Sequence, residues 1–182
     1  MEQQSAPVEL IVYACPVGEL ERQALAFYDA SRARFGANSA HAYPPHITLT
    51  GFFHDLAAAI PGYVAALSDA LLARPRRPPD GVVVRELART AAFHGLLIDS
   101  PWLEQLAAAF AARAASPTGL DVIRVKRDLH LSLAYGFRPE DGPALGALAR
   151  ELVDPAAPAS WELRLYERTA RGDWRIHAAW PL

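Results

Sequence analysis

The sequence predicts an α+β fold: two β-rich lobes around a cleft, with helices outside. Three observations carry that expectation. Short β-branched runs alternate with segments whose apolar residues recur at helical spacing, in the order β-α-β-α-ββ-α-β-α-ββ. Segment 94–137 repeats the strand–helix–strand grammar of 8–53 without evident identity between them. No tether-like linker separates the halves. They therefore read as lobes of one domain spanning 1–182, and 182 residues of which 52% are apolar can supply its core.

"VELIVYAC" (8–15) is a strand, expected to stop at Pro16. A helix follows, with Leu20, Ala24, Phe27, Tyr28 and Ser31 on one face and Gly36 at its end. Residues 46–53 are the second strand. The next helix has Asp55 as candidate cap and must start, kink or break at Pro61-Gly62. "PRRPPDG" (75–81) is a loop by its proline and glycine content. "VVVREL" and "FHGLLID" are strands. Ser100-Pro101 opens a helix to about Ala115 with a serine cap and proline in the first turn. After the turn "SPTG", residues 122–137 form another strand, and Pro139 to Leu152 another helix. "WELRLYERT" and "WRIHAAW", joined by "ARGD", close the chain as a hairpin.

Composition narrows the partners. Net charge is −2, without the basic surplus of a protein that grips a long duplex. A small ligand, or the end of a nucleic acid, fits better than duplex DNA. No apolar run approaches the ~20 residues of a membrane span. The lone Cys15, in "LIVYACP", is expected as a core thiol and permits no internal disulfide. "MEQQSAPVEL" lacks a basic stretch followed by an apolar one, so a reducing, cytoplasmic setting is the default expectation. A monomer is expected.

Two stretches carry the chemistry. His46-Ile47-Thr48-Leu49 and His130-Leu131-Ser132-Leu133 share one pattern: histidine, apolar, hydroxyl, apolar. On a strand, alternation puts His46, Thr48 and Thr50 on one face and Ile47 and Leu49 on the other. His130 and Ser132 share a face likewise. Six histidines and 13 serines or threonines give an expectation of about 0.4 such pairs by chance. Two matches, at equivalent places in the two halves, are specific.

Two imidazoles and two hydroxyls across a cleft suit hydrolysis of a phosphodiester. One imidazole takes a proton from water, and the other gives one to the leaving oxygen. The hydroxyls donate to non-bridging phosphate oxygens. Acid, base and anion clamp can thus all be side chains, and no cofactor or metal is called for.

At these residues the chain resembles the two-histidine (2H) phosphoesterase superfamily, marked by a pair of H-x-[ST]-x motifs. The resemblance implies a bilobal fold in which two antiparallel β-sheets form a central cleft with helices outside. "VYACP", "HLSLAYG" and "WRIHAAWPL" are most similar to the cyclic phosphodiesterase group, with the bacterial RNA 2′-5′ ligase-like branch ranked second. Carried over, His46 and His130 are acid and base, Thr48 and Ser132 phosphate ligands, and Tyr13 and Tyr135 lining of the nucleotide site. The implied substrates are nucleotide 2′,3′-cyclic phosphates, giving 2′-phosphates, or ADP-ribose 1″,2″-cyclic phosphate, giving a 1″-phosphate. RNA ends, and a non-catalytic nucleotide-binding module, are the alternatives. By strict alternation Tyr135 lies on the core face; it reaches the cleft only if a bulge or strand end near Gly136 re-aims it. Tyr43 can stack on a base at the rim.

Other signals are weaker. His41, His54, His94 and His177 lack a hydroxyl partner, and solvation is the expectation for His94 and His177. A zinc site through His41, His46 and Asp55 lacks any H-E-x-x-H or paired-cysteine pattern. Two basic clusters, Arg74/Arg76/Arg77 and Arg124/Lys126/Arg127, read by default as solvated faces. The second is better placed to meet a further phosphate or an RNA tail, because its strand leads into His130.

Overall fold

The computed structural model describes residues 6–73 and 81–182. Residues 1–5 and the expected loop, with Arg74, Arg76 and Arg77, lie outside the described residues, apart from Gly81. Eight strands are described: β1 (Val8–Val17), β2 (Ile47–Thr48), β3 (Phe53–Asp55), β4 (Val83–Arg89), β5 (Phe93–Asp99), β6 (His130–Tyr135), β7 (Ser160–Arg168) and β8 (Trp174–Pro181). The helices are α1 (Glu19–Phe35), α2 (Ile60–Leu72), α3 (Pro101–Arg113) and α4 (Gly142–Leu152). The order of elements is the one expected, with the second strand split in two.

All strand pairings are antiparallel, in the order β4-β5-β6-β2-β1-β7-β8, with β3 also on β1. The two lobes therefore join along one sheet. The seam is β2 on β6, where Ile47 pairs with Leu131. These are the equivalent residues of the two motifs. Both are fully buried, and such burial stabilises by about 1.5–3 kcal/mol per side chain. Slipping the seam by one residue would expose both and turn the histidines into the core, so the packing of Ile47 and Leu131 fixes where His46 and His130 point.

All four helices bury against one face of the sheet. Leu20 and Phe27 of α1, Leu67 of α2, Leu106 and Phe110 of α3 and Leu145 of α4 meet Leu10, Val12, Leu131, Leu163 and Leu165 there. Ser100 caps α3 as expected, accepting from the Leu103 amide. The opposite face of β1 carries a smaller cluster of Ile11, Tyr13, Cys15 and Tyr166, packed against Tyr43, Phe52 and Trp174. That face forms the floor of the cleft. Cys15 is the expected core thiol, and burial pushes its pKa up to about 11.

Four expectations are corrected. β1 does not stop at Pro16: it runs to Val17, paired throughout with β7. The second strand breaks because the Thr50 hydroxyl accepts the Val12 amide (3.1 Å), where a ladder carbonyl would otherwise stand. Asp55 caps no helix. It is fully buried in β3, accepting from the hydroxyls of Tyr63 (2.7 Å) and Thr118 (2.6 Å). Burial pushes this carboxyl up, but hydrogen bonds from Ser116, Thr118, Tyr63 and the Leu56 amide outweigh it and hold the pKa at about 2. Finally, residues 122–129 form no strand of their own: Val125 makes an isolated bridge with Thr50, flanked by Gly51 N–H to Arg124 O (2.8 Å) and Lys126 N–H to Leu49 O (2.9 Å), and only Leu129, accepting from the Ile98 amide, continues the pairing with β5.

Candidate active site

Antiparallel continuation from the Ile47–Leu131 pair sets His46 opposite Ser132 and Thr48 opposite His130. Each imidazole thus faces the other motif's hydroxyl. His46, Thr48, His130 and Ser132 all line one cavity of about 480 Å³, a size suited to a small ligand. Tyr13, Tyr43 and Tyr135 line it too, as do Arg124, Lys126 and Asp128.

The backbone orients both rings in the same way. His46 Nδ1 lies 2.7 Å from the Pro44 carbonyl, and His130 Nδ1 lies 2.8 Å from the Asp128 carbonyl. A carbonyl oxygen only accepts, so Nδ1 carries the proton and donates in each ring. Nε2 is then the atom each imidazole offers to a ligand. In both motifs the carbonyl belongs to the residue two before the histidine.

The surroundings of the rings differ. His46 Nε2 accepts from the Thr48 hydroxyl (3.0 Å). Its ring lies face to face with Tyr13, centroids 3.7 Å apart and planes 27° from parallel. Burial pushes the His46 pKa down to about 4; the Pro44 hydrogen bond opposes this and the charge of His130 adds to it. His46 is therefore neutral near pH 7. His130 instead meets the edge of Phe93, centroids 5.3 Å apart. Phe93 folds back over Gly95, where a Cβ would collide with its ring and with the Leu131 carbonyl.

Tyr135 reaches the cleft through a bulge. His94 pairs with Ala134 and Gly95 with Ser132, which leaves Leu133 without a partner on β5. Leu133 and Ala134 are consecutively buried, so alternation reverses and Tyr135 emerges on the cleft side. Tyr43 sits at the rim, tilted against His46 and Trp174. Tyr13 lines the cavity floor beneath His46 rather than standing open to a base. Only 1% exposed, it spends its ring face on His46, and none is left for a base.

The remaining predicted residues fall elsewhere. Thr50 shares the face of His46, but its hydroxyl already serves Val12. His41 caps the turn at Ser39–Ala42, and neither it nor Asp55 lines the cleft. Among the described residues no three His, Cys, Asp or Glu side chains group as a metal set. His94 is not solvated: it is 2% exposed, stacked on Phe137, with Nε2–H donating to the Gly142 carbonyl. His177 is held by Glu167 (2.8 Å). Sequence reasoning passed over Phe93 and Asp128. Asp128 was legible in principle, standing two before a histidine on the same alternating face as Lys126 and Arg124.

Known proteins fit this geometry. E. coli LigT, solved with ATP, superposes over 97% of this chain and 99% of its own, at TM-score 0.55 and 18% identity. A second solved phosphoesterase covers 97% and 99%, at TM-score 0.57 and 18% identity. This chain has the 2H-phosphoesterase fold. In sequence the chain is similar to proteins that carry different names. The ecdysteroid-phosphate phosphatase of Bombyx mori is 33% identical over 175 residues, 91% of this chain but 25% of that protein. The human ubiquitin-associated and SH3 domain-containing protein B is 33% identical over 171 residues, 91% of this chain and 26% of its own length. The chain spans about a quarter of the curated relatives it matches. No family model matches it. Among the described residues no helix is long and apolar enough to cross a membrane.

Proposed function

We propose that this 2H-fold chain is a phosphodiesterase that opens a nucleotide 2′,3′-cyclic phosphate, or the related ADP-ribose 1″,2″-cyclic phosphate, with side chains alone as acid and base. The observation that carries the reading is the single cavity lined by both motifs, with each Nδ1 tied to a backbone carbonyl, so that Nε2 is the nitrogen each ring can offer to a ligand.

Neutral His46 is the base and His130 the acid. On binding, the Thr48 hydroxyl turns from His46 to a phosphate oxygen and frees Nε2. Nε2 takes a proton from the attacking water as its oxygen bonds to phosphorus. The hydroxyls of Thr48 and Ser132 donate to the oxygens on which charge accumulates. The bond from phosphorus to O3′ breaks, and His130 Nε2 gives its proton to O3′. The product is a 2′-phosphate with a free 3′-hydroxyl, and solvent restores both rings. A base held at about 4 is weak in the empty cleft, but the growing negative charge of the phosphorane strengthens it as the proton moves.

RNA ends are the second reading, favoured by Arg124 and Lys126 in the cavity wall. Both are exposed, on a segment that leads away from His130. They suit a second phosphate, and their contribution would weaken with salt.

One assay divides the readings. The protein, in EDTA, is given 2′,3′-cyclic mononucleotides, ADP-ribose 1″,2″-cyclic phosphate, RNA with a cyclic end, and a steroid phosphate monoester. Turnover of the small cyclic phosphates is expected. Turnover of RNA alone supports the second reading, and binding without turnover contradicts both. Hydrolysis of the steroid monoester alone would move the silkworm relative's named activity onto this quarter of its length.

A further inference from the structure

We propose that Tyr13 is a positioning residue for the base: its ring holds the His46 imidazole in place and keeps water from one of its faces. The inference rests on the proposed role of His46 and extends it to a residue that would act through that ring.

The geometry is specific. Tyr13 lies on a central strand, paired with Thr48 of β2 on one side and Arg164 of β7 on the other. It is 1% exposed. One side of its ring meets His46 at 3.7 Å. Around the rest stand Tyr166, at 5.5 Å, and Trp174, at 5.8 Å. Trp174 is itself anchored, its indole N–H donating to the Ala42 carbonyl (2.8 Å). Tyr13 therefore has little room to move, and neither does the imidazole resting on it.

Three contacts then fix His46. The Pro44 carbonyl holds Nδ1, Thr48 meets Nε2, and Tyr13 covers a face. The first two set the tautomer and the in-plane direction. Neither stops the ring from tilting out of plane or water from reaching it; a stacked ring does both. The groups that face His46 are Tyr13 from β1, Tyr43 and the Pro44 carbonyl from the chain before β2, Thr48 from β2 and His130 from β6. Only His130 among these can form a cation. The protonation of His46 thus depends on how dry its surroundings are, on the Pro44 hydrogen bond and on that one charge. Tyr13 supplies much of the dryness.

The test separates the ring from the hydroxyl. His46 is followed by NMR titration of ¹³C-labelled histidine, assigned with His46→Gln, in wild type, Tyr13→Phe and Tyr13→Leu. No substrate is needed, so the result stands whether or not a cyclic phosphate is turned over. Tyr13→Phe should titrate within a few tenths of a unit of wild type. Tyr13→Leu should titrate a unit or more higher, toward 6.5, a tenfold change in the proton equilibrium. If activity is found, the acid limb of kcat/KM moves with it, and kcat falls tenfold or more while KM changes less than twofold. Tyr13→Met, which keeps much of the volume without the ring, makes the same comparison should the leucine variant unfold. An unmoved His46 in the folded leucine or methionine variant overturns the proposal. So does a phenylalanine variant that shifts as far as leucine.

Discussion

The two motifs are alike in sequence and unlike in surroundings. Each places a histidine two residues before a hydroxyl, and each ties Nδ1 to the carbonyl two residues upstream. There the likeness ends. His46 is stacked on a buried tyrosine and bonded to its own motif's hydroxyl. His130 meets only the edge of Phe93, and its Nε2 has no hydrogen-bond partner among the described residues. A symmetric motif pair supplies two similar groups; an acid and a base need two different ones. The difference arises outside the motifs, in Tyr13 on β1 and in Phe93 on β5.

The strongest way to break the comparison is to remove each ring. His46→Ala and His130→Ala should each lower kcat/KM by roughly 10²–10⁴-fold. Their pH profiles should differ: His46→Ala loses the fall in rate below about pH 4 that protonation of this base imposes, whereas His130→Ala keeps it. Because the rings interact, the wild-type limbs belong to the pair. Loss of the same limb from both variants would mean that the roles are not divided.

The hydroxyls sharpen it next. Thr48 touches the base as well as the expected phosphate site, whereas Ser132 Oγ has no hydrogen-bond partner among the described residues. Thr48→Ala should cost about 10²-fold in kcat, and Ser132→Ala clearly less. Equal losses, measured on one substrate, would show that the Thr48–His46 contact carries no weight.

How far the sequence could see is clear at particular residues. Alternation placed His46 with Thr48 and His130 with Ser132 on the cleft face, because buried Ile47 and Leu131 leave the strands no other register. It could not place Tyr135, whose orientation depends on Leu133 lacking a partner on β5. Bulges are properties of a pair of strands, and one strand's sequence does not reveal them. Nor could it show that Tyr13 lies under His46: the two are 33 positions apart and meet only through the β1–β2 register. Asp55 resembled a helix cap because its partner Thr118 is 63 residues away.

A smaller effect tests the His130 side. Gly95→Ala should crowd both Phe93 and the Leu131 carbonyl, disturb β5 on β6 beside His130 and destabilise the protein by about 1–3 kcal/mol, read as a fall in Tm. Its loss of rate should exceed that of an exposed glycine substitution such as Gly62→Ala.

The last effect concerns stability alone. The His46 pKa falls from 6.5 unfolded to about 4 folded, so between those values the unfolded chain binds more protons. Stability from this group is full above about pH 6.5 and is lost as pH drops toward 4, by no more than about 3 kcal/mol. His46→Gln should lose less stability than wild type over that window in urea unfolding.

The central claim is that His46 and His130 act on one phosphorus. A crystal structure with a bound nucleoside 2′-phosphate tests it most directly. The account predicts one phosphate within hydrogen-bond distance of both Nε2 atoms, with the hydroxyls of Thr48 and Ser132 on its oxygens. A phosphate held by one imidazole alone, or seated outside the cleft, would contradict it.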